Sequence, residues 1–192
     1  AGVIMKYEEI CDFAVMYAAY VAAREGKRKK RRTVEFEENL LENLRDIMDD
    51  LTAGTYRPGE FERFKIFEPK ERDIEAPAFK DKVVLHAVTD NGLYDAITRS
   101  FVRNNCANQT GKGTADAVIR LKTCMVRYYA QYGTAEGWIL KCDIHHFFAS
   151  INHDVLKGKL LKVFEKRGLD MRIYDLLCIY IDKTEGLPLG YQ

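Results

Sequence analysis

The stretch WILKCDIHHFFASINH (Trp138–His153) decides how the fold of this chain is interpreted. Its first seven residues are dense in apolar side chains, which predicts a short buried strand from Trp138 to Ile144. Asp143 lies at the end of that strand, directly before an aromatic pair and a predicted helix. Burying a carboxylate without a partner is costly. A bound metal ion would remove that cost and give the aspartate a chemical task.

The composition is that of a globular protein. Of 192 residues, 47% are hydrophobic and 31% charged, which suits one core, or a core with a small lobe. The net charge is only +1, so any affinity for nucleic acid must come from local clusters of Lys and Arg. Five scattered cysteines without a Cys-x-x-Cys pair favour reduced thiols and a cytoplasmic location.

No targeting or membrane segment is predicted. No apolar run approaches the length of a membrane span, and the first residues lack the order of a signal peptide. Met5 is a candidate for the natural first residue, with the four residues before it either native or added.

The first third of the chain predicts a helical hairpin with a basic corner. One helix is expected at 7–24, and a second follows Thr33, a potential N-cap, and stops at Gly54. Six consecutive cations lie between them: Lys27, Arg28, Lys29, Lys30, Arg31 and Arg32. Because such a run repels itself without a polyanion, we interpret it as a contact for RNA or for a template and primer. A solvated corner is the alternative.

The middle of the chain changes to a strand pattern. Residues 56–74 alternate and are rich in aromatic side chains, with Pro69 ending the first strand and Ile74 starting the return. Helices are then expected from Asp81, taken as an N-cap, to Ile97, and from Thr114 to about Tyr132. Two more are predicted at 153–167 and 171–181.

Four motifs in order resemble those of one protein family. The spacing Asp143-Ile144-x-x-Phe147-Phe148-x-x-Ile151-x-His153 resembles the first catalytic motif of group II intron, retron and related bacterial reverse transcriptases. Three segments are similar to further motifs of that family: Phe67–Ile74 to its fingers hairpin, Phe79–Val84 to its Asp-Arg-Val-Val helix start with Lys for Arg, and Gly186–Gly190 to its turn under the base pair. The resemblance covers residues 56–192.

The resemblance implies an α+β fold, a right-hand polymerase fragment that is helix-rich. It implies a helical extension over 1–55, a fingers region with a β-hairpin over 56–135, and the start of an antiparallel palm sheet over 136–192. The second catalytic motif, an aromatic-x-Asp-Asp hairpin, and the thumb are expected beyond Gln192. The 192 residues alone are therefore expected to lack polymerase activity, because one carboxylate cannot assemble a two-metal site.

Roles for the central motif follow from the same resemblance. Asp143 is expected to bind a catalytic metal, with the main-chain carbonyl of Ile144 as a second ligand. Phe148 matches the aromatic that excludes a ribose 2′-hydroxyl by steric repulsion. Backbone N–H groups around His146 and Phe147 are expected to face the triphosphate.

Other motif residues are expected around the nucleotide. Lys70 and Arg72 would clamp the triphosphate, while Leu189 and Gly190 would lie beneath the nascent base pair. Lys112, in a Gly-rich loop, would touch a template phosphate or remain an exposed loop lysine. Leu189, where many relatives have Gln, is similar to the reverse transcriptases of diversity-generating retroelements, which favours that branch.

The implied activity is RNA-directed DNA polymerisation. The expected cofactor is Mg²⁺, with Mn²⁺ as an alternative, and the substrates are deoxynucleoside triphosphates. The expected partners are an RNA template, a DNA or RNA primer and an accessory RNA-binding protein, with no membrane; the oligomeric state is left open. The alternative is a non-catalytic RNA-binding module, such as a maturase or a phage-defence factor.

Structural interpretations stay open beside these. Asp143 could cap the following helix, Phe147 could belong to the core, and Lys70 with Arg72 could form a solvated turn. A zinc site is a further alternative, although the spacing is not that of structural zinc. Its ligands would come from Cys142, His145, His146 and His153.

Overall fold

A computed structural model of the chain describes residues 6–67 and 71–188. The fold is α+β, mostly helical, with a two-stranded antiparallel sheet. The chain divides into two compact units. The first contains Ala1–Ala96 and His146–Gln192, and the second contains Ile97–His145.

The first unit begins with four helices, α1 (Tyr7–Ile10), α2 (Phe13–Ala23), α3 (Arg31–Glu38) and α4 (Leu40–Ala53). Strands β1 (Glu62–Ile66) and β2 (Arg72–Ala76) follow. Helix α5 (Phe79–Val88) is followed by a kink within Thr89–Leu93, where Gly92 has a φ of +130°, and then by α6 (Tyr94–Thr98). The second unit contains α7 (Thr114–Tyr132), and the chain returns to the first with α8 (His153–Arg167) and α9 (Met171–Ile181).

None of the helices in the described ranges combines the length and the apolarity that crossing a bilayer requires.

Two helix boundaries near the amino terminus differ from the sequence prediction. The single helix predicted over residues 7–24 is broken, because the Asp12 carboxylate accepts hydrogen bonds from the N–H groups of Ala14 and Val15 and caps α2. Helix α3 begins at Arg31 rather than after Thr33, which is buried inside the helix instead of capping it. The predicted stop at Gly54 is confirmed, with a left-handed residue ending α4.

The core of the first unit lies where α2 packs against α5. Three aromatic rings meet there: Tyr20 is stacked on Phe36, and Phe79 contacts both. Buried aliphatic side chains surround them, among them Met16, Leu44, Ile47, Leu51, Val83, Val84 and Val88. Burial of these side chains is the main favourable term in the folding of this unit.

The β-hairpin is confirmed, but its strands have other bounds than predicted: β1 ends at Ile66 and β2 begins at Arg72. Pro69, the predicted end of the first strand, lies outside the described residues. Phe64 pairs with Ile74, and Ile66 pairs with Arg72. The return strand thus begins at Arg72, two residues before the predicted Ile74. Charged residues are common on the exposed face of an antiparallel pair. Arg72 and Asp73 can therefore belong to the return strand, although their charge suggested a turn.

The predicted palm strand is not formed among the described residues. Residues 134–144 have no regular secondary structure, and Trp138 is fully exposed, with Ile139 and Leu140 also exposed. A strand requires a neighbour to receive its N–H and C=O groups. The described part of the chain supplies none to this segment, so the prediction of a buried strand was wrong for this structure.

A buried carboxylate ties three separate segments of the first unit together. Asp81, in the first turn of α5, has no exposed surface. Its Oδ1 accepts a hydrogen bond from the Tyr56 hydroxyl at 2.5 Å, and its Oδ2 accepts one from the Gly59 N–H at 2.9 Å. The Tyr180 hydroxyl, from α9, lies 3.1 Å from the Tyr56 hydroxyl oxygen and 3.5 Å from Asp81 Oδ1. Asp81 therefore links α5 to the 56–60 segment and to α9, and does not serve as the N-cap that the sequence suggested.

The ionisation of Asp81 is set by two opposing effects. Burial raises the pKa of the Asp81 carboxyl above its ordinary value of 3.8, while the hydrogen bonds from Tyr56 and Gly59 lower it. Lys183 adds a nearby positive charge, and its ammonium group donates to the Pro58 carbonyl at 3.1 Å.

Helices α8 and α9 form a second helical pair, with the bounds that the sequence predicted. Asp170 caps α9 by accepting from the Arg172 N–H and also accepts from the Tyr7 N–H at 3.1 Å. Arg172 reaches Asp170 at 2.6 Å and Glu8 at 2.7 Å. Its side-chain hydrogen bond is the main cause that lowers the pKa of Asp170 to about 2. This cluster joins α1 to α9.

Replacing Tyr56 by Phe should destabilise the protein by about 1–3 kcal/mol, because the buried Asp81 carboxylate loses its shortest hydrogen bond. The loss of unfolding free energy is measured by urea denaturation. Without the Tyr56 hydroxyl, the pKa of the folded-state Asp81 carboxyl should rise further above its unfolded value. Since stability from a raised pKa is lost as the pH increases, the loss of unfolding free energy should be larger at pH 7 than at pH 4. Tyr17→Phe, at an exposed ring on α2, is the control; equal stability of both variants would contradict the role given to Asp81.

Replacing Asp170 by Asn should remove a pH-dependent contribution of about 1 kcal/mol after solvent screening. Because the folded pKa is lowered from 3.8 to about 2, this contribution is present above pH 5 and is lost as the pH falls through 2. Thermal unfolding of the two proteins should therefore differ at pH 6 and converge near pH 2. A difference that does not change with pH would exclude the charge as its origin.

Candidate functional site

The segment after Asp143 forms a tight turn. Residues 145–150 are in turns, and the Ser150 N–H donates to the His146 carbonyl at 3.0 Å. His146 has a φ of +48°, a left-handed conformation that is uncommon for residues other than glycine. Strained residues of this kind cluster at functional sites.

The turn presents two aromatic rings. Phe147 and Phe148 lie edge to face with their centroids 5.3 Å apart. The side chains are 48% and 39% exposed, so neither ring is enclosed in a core. The alternative that Phe147 is a core residue was therefore wrong for this structure, and both rings are accessible to a ligand.

The turn at Gly186 packs directly against the Phe148 backbone. The Leu187 N–H donates to the Phe148 carbonyl at 2.9 Å. Gly186 has a φ of +65°, and a Cβ added there would lie 2.6 Å from the Phe148 carbonyl oxygen and 2.7 Å from that of Ala149. Only glycine allows this approach. Two motifs that are 38 residues apart in sequence are thus in backbone contact.

His153 provides a second connection to the same turn. Its Nε2 lies 2.8 Å from the Gly186 carbonyl oxygen. Since a carbonyl can only accept, Nε2 carries the proton. Its Nδ1 lies 3.5 Å from an Asp182 carboxylate oxygen, so His153 connects Asp182 to the Gly186 turn.

Asp143 and Ile144 belong to the second unit and are exposed. Oxygen atoms of a carboxylate and a main-chain carbonyl are the ligand types that Mg²⁺ prefers. The two residues therefore fit as part of a magnesium site, and they do not complete one. The described ranges, 6–67 and 71–188, contain no group of three or more His, Cys, Asp or Glu side chains that could hold a metal ion. The zinc candidates Cys142, His145, His146 and His153 are thus not gathered into such a group among the described residues.

The fingers residues are described only in part. Arg72 begins β2 and is exposed, next to an ion pair between Lys65 and Glu71 at 2.6 Å. Lys70 lies outside the described residues, as do Leu189 and Gly190.

Lys112 braces its own loop. Its ammonium group donates to the Asn105 carbonyl at 3.2 Å and to the Gln109 side-chain oxygen at 2.9 Å. These contacts give the lysine a structural role in the second unit. Its role at a template phosphate stays a prediction.

The basic run surrounds the amino end of α3. Arg31 pairs with Glu35 at 3.5 Å and Arg32 with Glu62 at 3.2 Å. Beside them is a cavity of about 210 Å³ whose lining includes Lys27, Lys30, Arg31, Arg32 and Lys82. Four of the six cations thus line one cavity together with a lysine from α5, and a nucleic-acid contact for the run stays a prediction beside the alternative of a solvated corner.

Sequence reasoning missed three features. It gave no role to Lys82, although the Lys in place of the family's Arg was noticed. It took Asp81 for a helix cap, because its partners Tyr56 and Tyr180 are 25 and 99 residues away. It placed the motif at 143–153 and the Gly186 turn around the same nucleotide, but it did not predict their direct backbone contact.

Comparison of the sequence with protein-family models gives no match, and comparison with curated proteins gives none either.

Replacing Gly186 by Ala should cost more stability than replacing Gly168 by Ala. Both glycines have a φ of +65°, but a Cβ at Gly168 meets nothing within 4 Å, so that control isolates the conformational cost of about 1–2 kcal/mol. The clash with the Phe148 and Ala149 carbonyls should add about 1–3 kcal/mol and should speed hydrogen exchange of the Leu187 N–H. Equal losses in thermal denaturation, with unchanged exchange, would contradict the contact.

Proposed function

We propose that this chain is the fingers and first palm part of an RNA-directed DNA polymerase. The turn of Phe147 and Phe148 is its nucleotide site, and the second carboxylate pair of the active site comes from residues outside the 192. By the same proposal the enzyme uses Mg²⁺ and deoxynucleoside triphosphates on a primed RNA template. The diversity-generating retroelement branch is the favoured subfamily.

The observation that carries the proposal is the backbone contact between Phe148 and Gly186–Leu187. The resemblance named both segments independently and assigned both to the incoming nucleotide. A structure in which they were far apart would have removed the basis for a shared site. Their contact supports the proposal because unrelated sequence matches have no reason to meet.

In the proposed enzyme, Phe148 and His153 of the first unit would position the nucleotide. Phe148, fixed through its own carbonyl, would place its ring against the sugar and exclude a 2′-hydroxyl by repulsion. His153 would hold the Gly186 turn so that the residues after it lie beneath the base pair. A divalent metal, held in part by the Asp143 carboxylate and the Ile144 carbonyl, would activate the primer hydroxyl and stabilise the leaving oxygen.

The exposed apolar residues of the second unit are also consistent with the proposal. Trp138, Ile139 and Leu140 are exposed, and so are apolar side chains along α7, including Val118, Ile119 and Met125. Cover by another polypeptide is one common reason for exposed apolar surface. In the proposed enzyme, further palm strands pair with residues 138–144.

The test is primer extension on an oligo(dT)-primed poly(rA) template by the protein expressed from its complete gene. Wild-type protein should extend the primer with Mg²⁺, and Asp143→Asn should reduce the rate at least about 10³-fold, because removal of a charged group that stabilises the transition state costs this much. Asp154→Asn, at an exposed carboxylate on α8, should leave the rate unchanged.

The 192-residue chain alone should not extend the primer. Extension by this chain would show that it carries a complete two-metal site. It would contradict the proposal that part of the active site comes from residues outside the 192. No extension by the complete gene product, with binding of RNA retained, would instead favour the RNA-binding module.

A further inference from the structure

We propose that Lys82, with Lys27, forms a binding site for two successive phosphates of a nucleic-acid backbone. The inference deepens the proposed function, since it rests on nucleic acid being the partner of the basic run. It assigns the contact to a particular pair of cavities rather than to the run as a whole.

The first line of support is the charge around the larger cavity. Five cations line it, and the one carboxylate in its lining, Glu62, is already paired with Arg32 at 3.2 Å. Within the described ranges, no ion pair is found for Lys27, Lys30 or Lys82. Five cations and one carboxylate give this concave surface an excess of positive charge, which a bound anion would offset.

The second line of support is the position of Lys82. It projects from the first turn of α5, one residue after the fixed carboxylate of Asp81, and its side chain is only partly exposed. Burial, together with the positive charges of Lys27 and Lys30, lowers the pKa of Lys82. A lysine held in this way is stabilised as an ammonium ion by a bound anion more than an exposed lysine is.

The third line of support is a second cavity beside the first. It has a volume of about 170 Å³ and shares Lys27, Pro77 and Lys82 with the first cavity of about 210 Å³. The carboxylate in its lining, Asp90, lies 3.1 Å from His86. Each volume is below the roughly 300–1,000 Å³ of pockets that enclose a drug-sized ligand.

The two small cavities favour a backbone over a free nucleotide. In the proposed complex each cavity would take one phosphate group, and the shared lysines would lie between two neighbouring phosphates of one strand. The exposed ring of Phe64 lines the larger cavity and offers an aromatic face on which a base can stack. A single-stranded nucleic acid satisfies all three features.

The test is fluorescence anisotropy with a fluorescein-labelled 20-nucleotide oligo(U), measured between 50 and 300 mM NaCl on the folded chain. Lys82→Gln should lower the slope of log affinity against log salt by about 0.7, the value for one phosphate contact on a single strand. That change corresponds to about a fivefold loss of affinity at 0.1 M salt. Lys82→Arg should restore most of the binding.

The matched control is Lys29→Gln. Lys29 belongs to the same basic run but is exposed and does not line either cavity, so its replacement should change the slope much less. Unfolding midpoints of all variants establish that each is folded.

Each other outcome overturns a defined part of the account. Wild-type binding with equal slopes for Lys82→Gln and Lys29→Gln would overturn the two-phosphate site and leave the proposed function standing. If UTP displaced the labelled oligo(U) when both were present at the same total concentration of phosphate groups, the site would be one for a free nucleotide. That result would overturn the assignment to a nucleic-acid backbone. No binding of oligo(U) at 50 mM NaCl would overturn both proposals. Lys82-dependent binding, together with a complete gene product that does not extend the primer, would overturn the polymerase alone.

Discussion

The buried carboxyl group of Asp81, enclosed among Tyr56, Gly59 and Tyr180, is the constraint on which the first unit depends. A carboxylate without solvent must find its hydrogen bonds inside the protein, and these donors come from segments far apart in sequence. The network therefore fixes α5 against α9 and against the segment leading into the hairpin. Because Lys82 is the next residue on α5, and α9 leads into the turn at Gly186, the same network positions both the basic cavities and the site at Phe148.

Two regions of the first unit follow from this arrangement. One is the pair of basic cavities beside Lys82, where positive charge exceeds negative charge. The other is the turn of Phe147 and Phe148, held by the Gly186 backbone and by His153. A polymerase requires both a surface for the nucleic-acid backbone and a shaped site for the nucleotide. Their presence in one compact unit is the physical basis of the proposed function.

Patterns in the sequence correctly predicted the features that depend on interactions between residues close in sequence. The bounds of α8 and α9, the stop at Gly54 and the existence of the hairpin follow from periodicity, capping and strand propensity. The predictions failed where distant partners decide. Asp81 was taken for a cap because Tyr180 lies 99 residues away, and residues 138–144 were taken for a buried strand although the described chain offers no partner strand. The contact between Phe148 and Gly186 depends on tertiary folding, which a single sequence does not record.

The most direct test of the central claim is to locate a metal–nucleotide complex on the chain by NMR. Mn²⁺ with a deoxynucleoside triphosphate is added to the isotopically labelled protein, and paramagnetic broadening of each backbone amide is measured. The account predicts that the amides of residues 143–148 broaden first, that Asp143→Asn abolishes this effect, and that Asp46→Asn, at an exposed carboxylate on α4, does not. Broadening centred elsewhere and unchanged by Asp143→Asn would contradict the assignment of this segment as a nucleotide site.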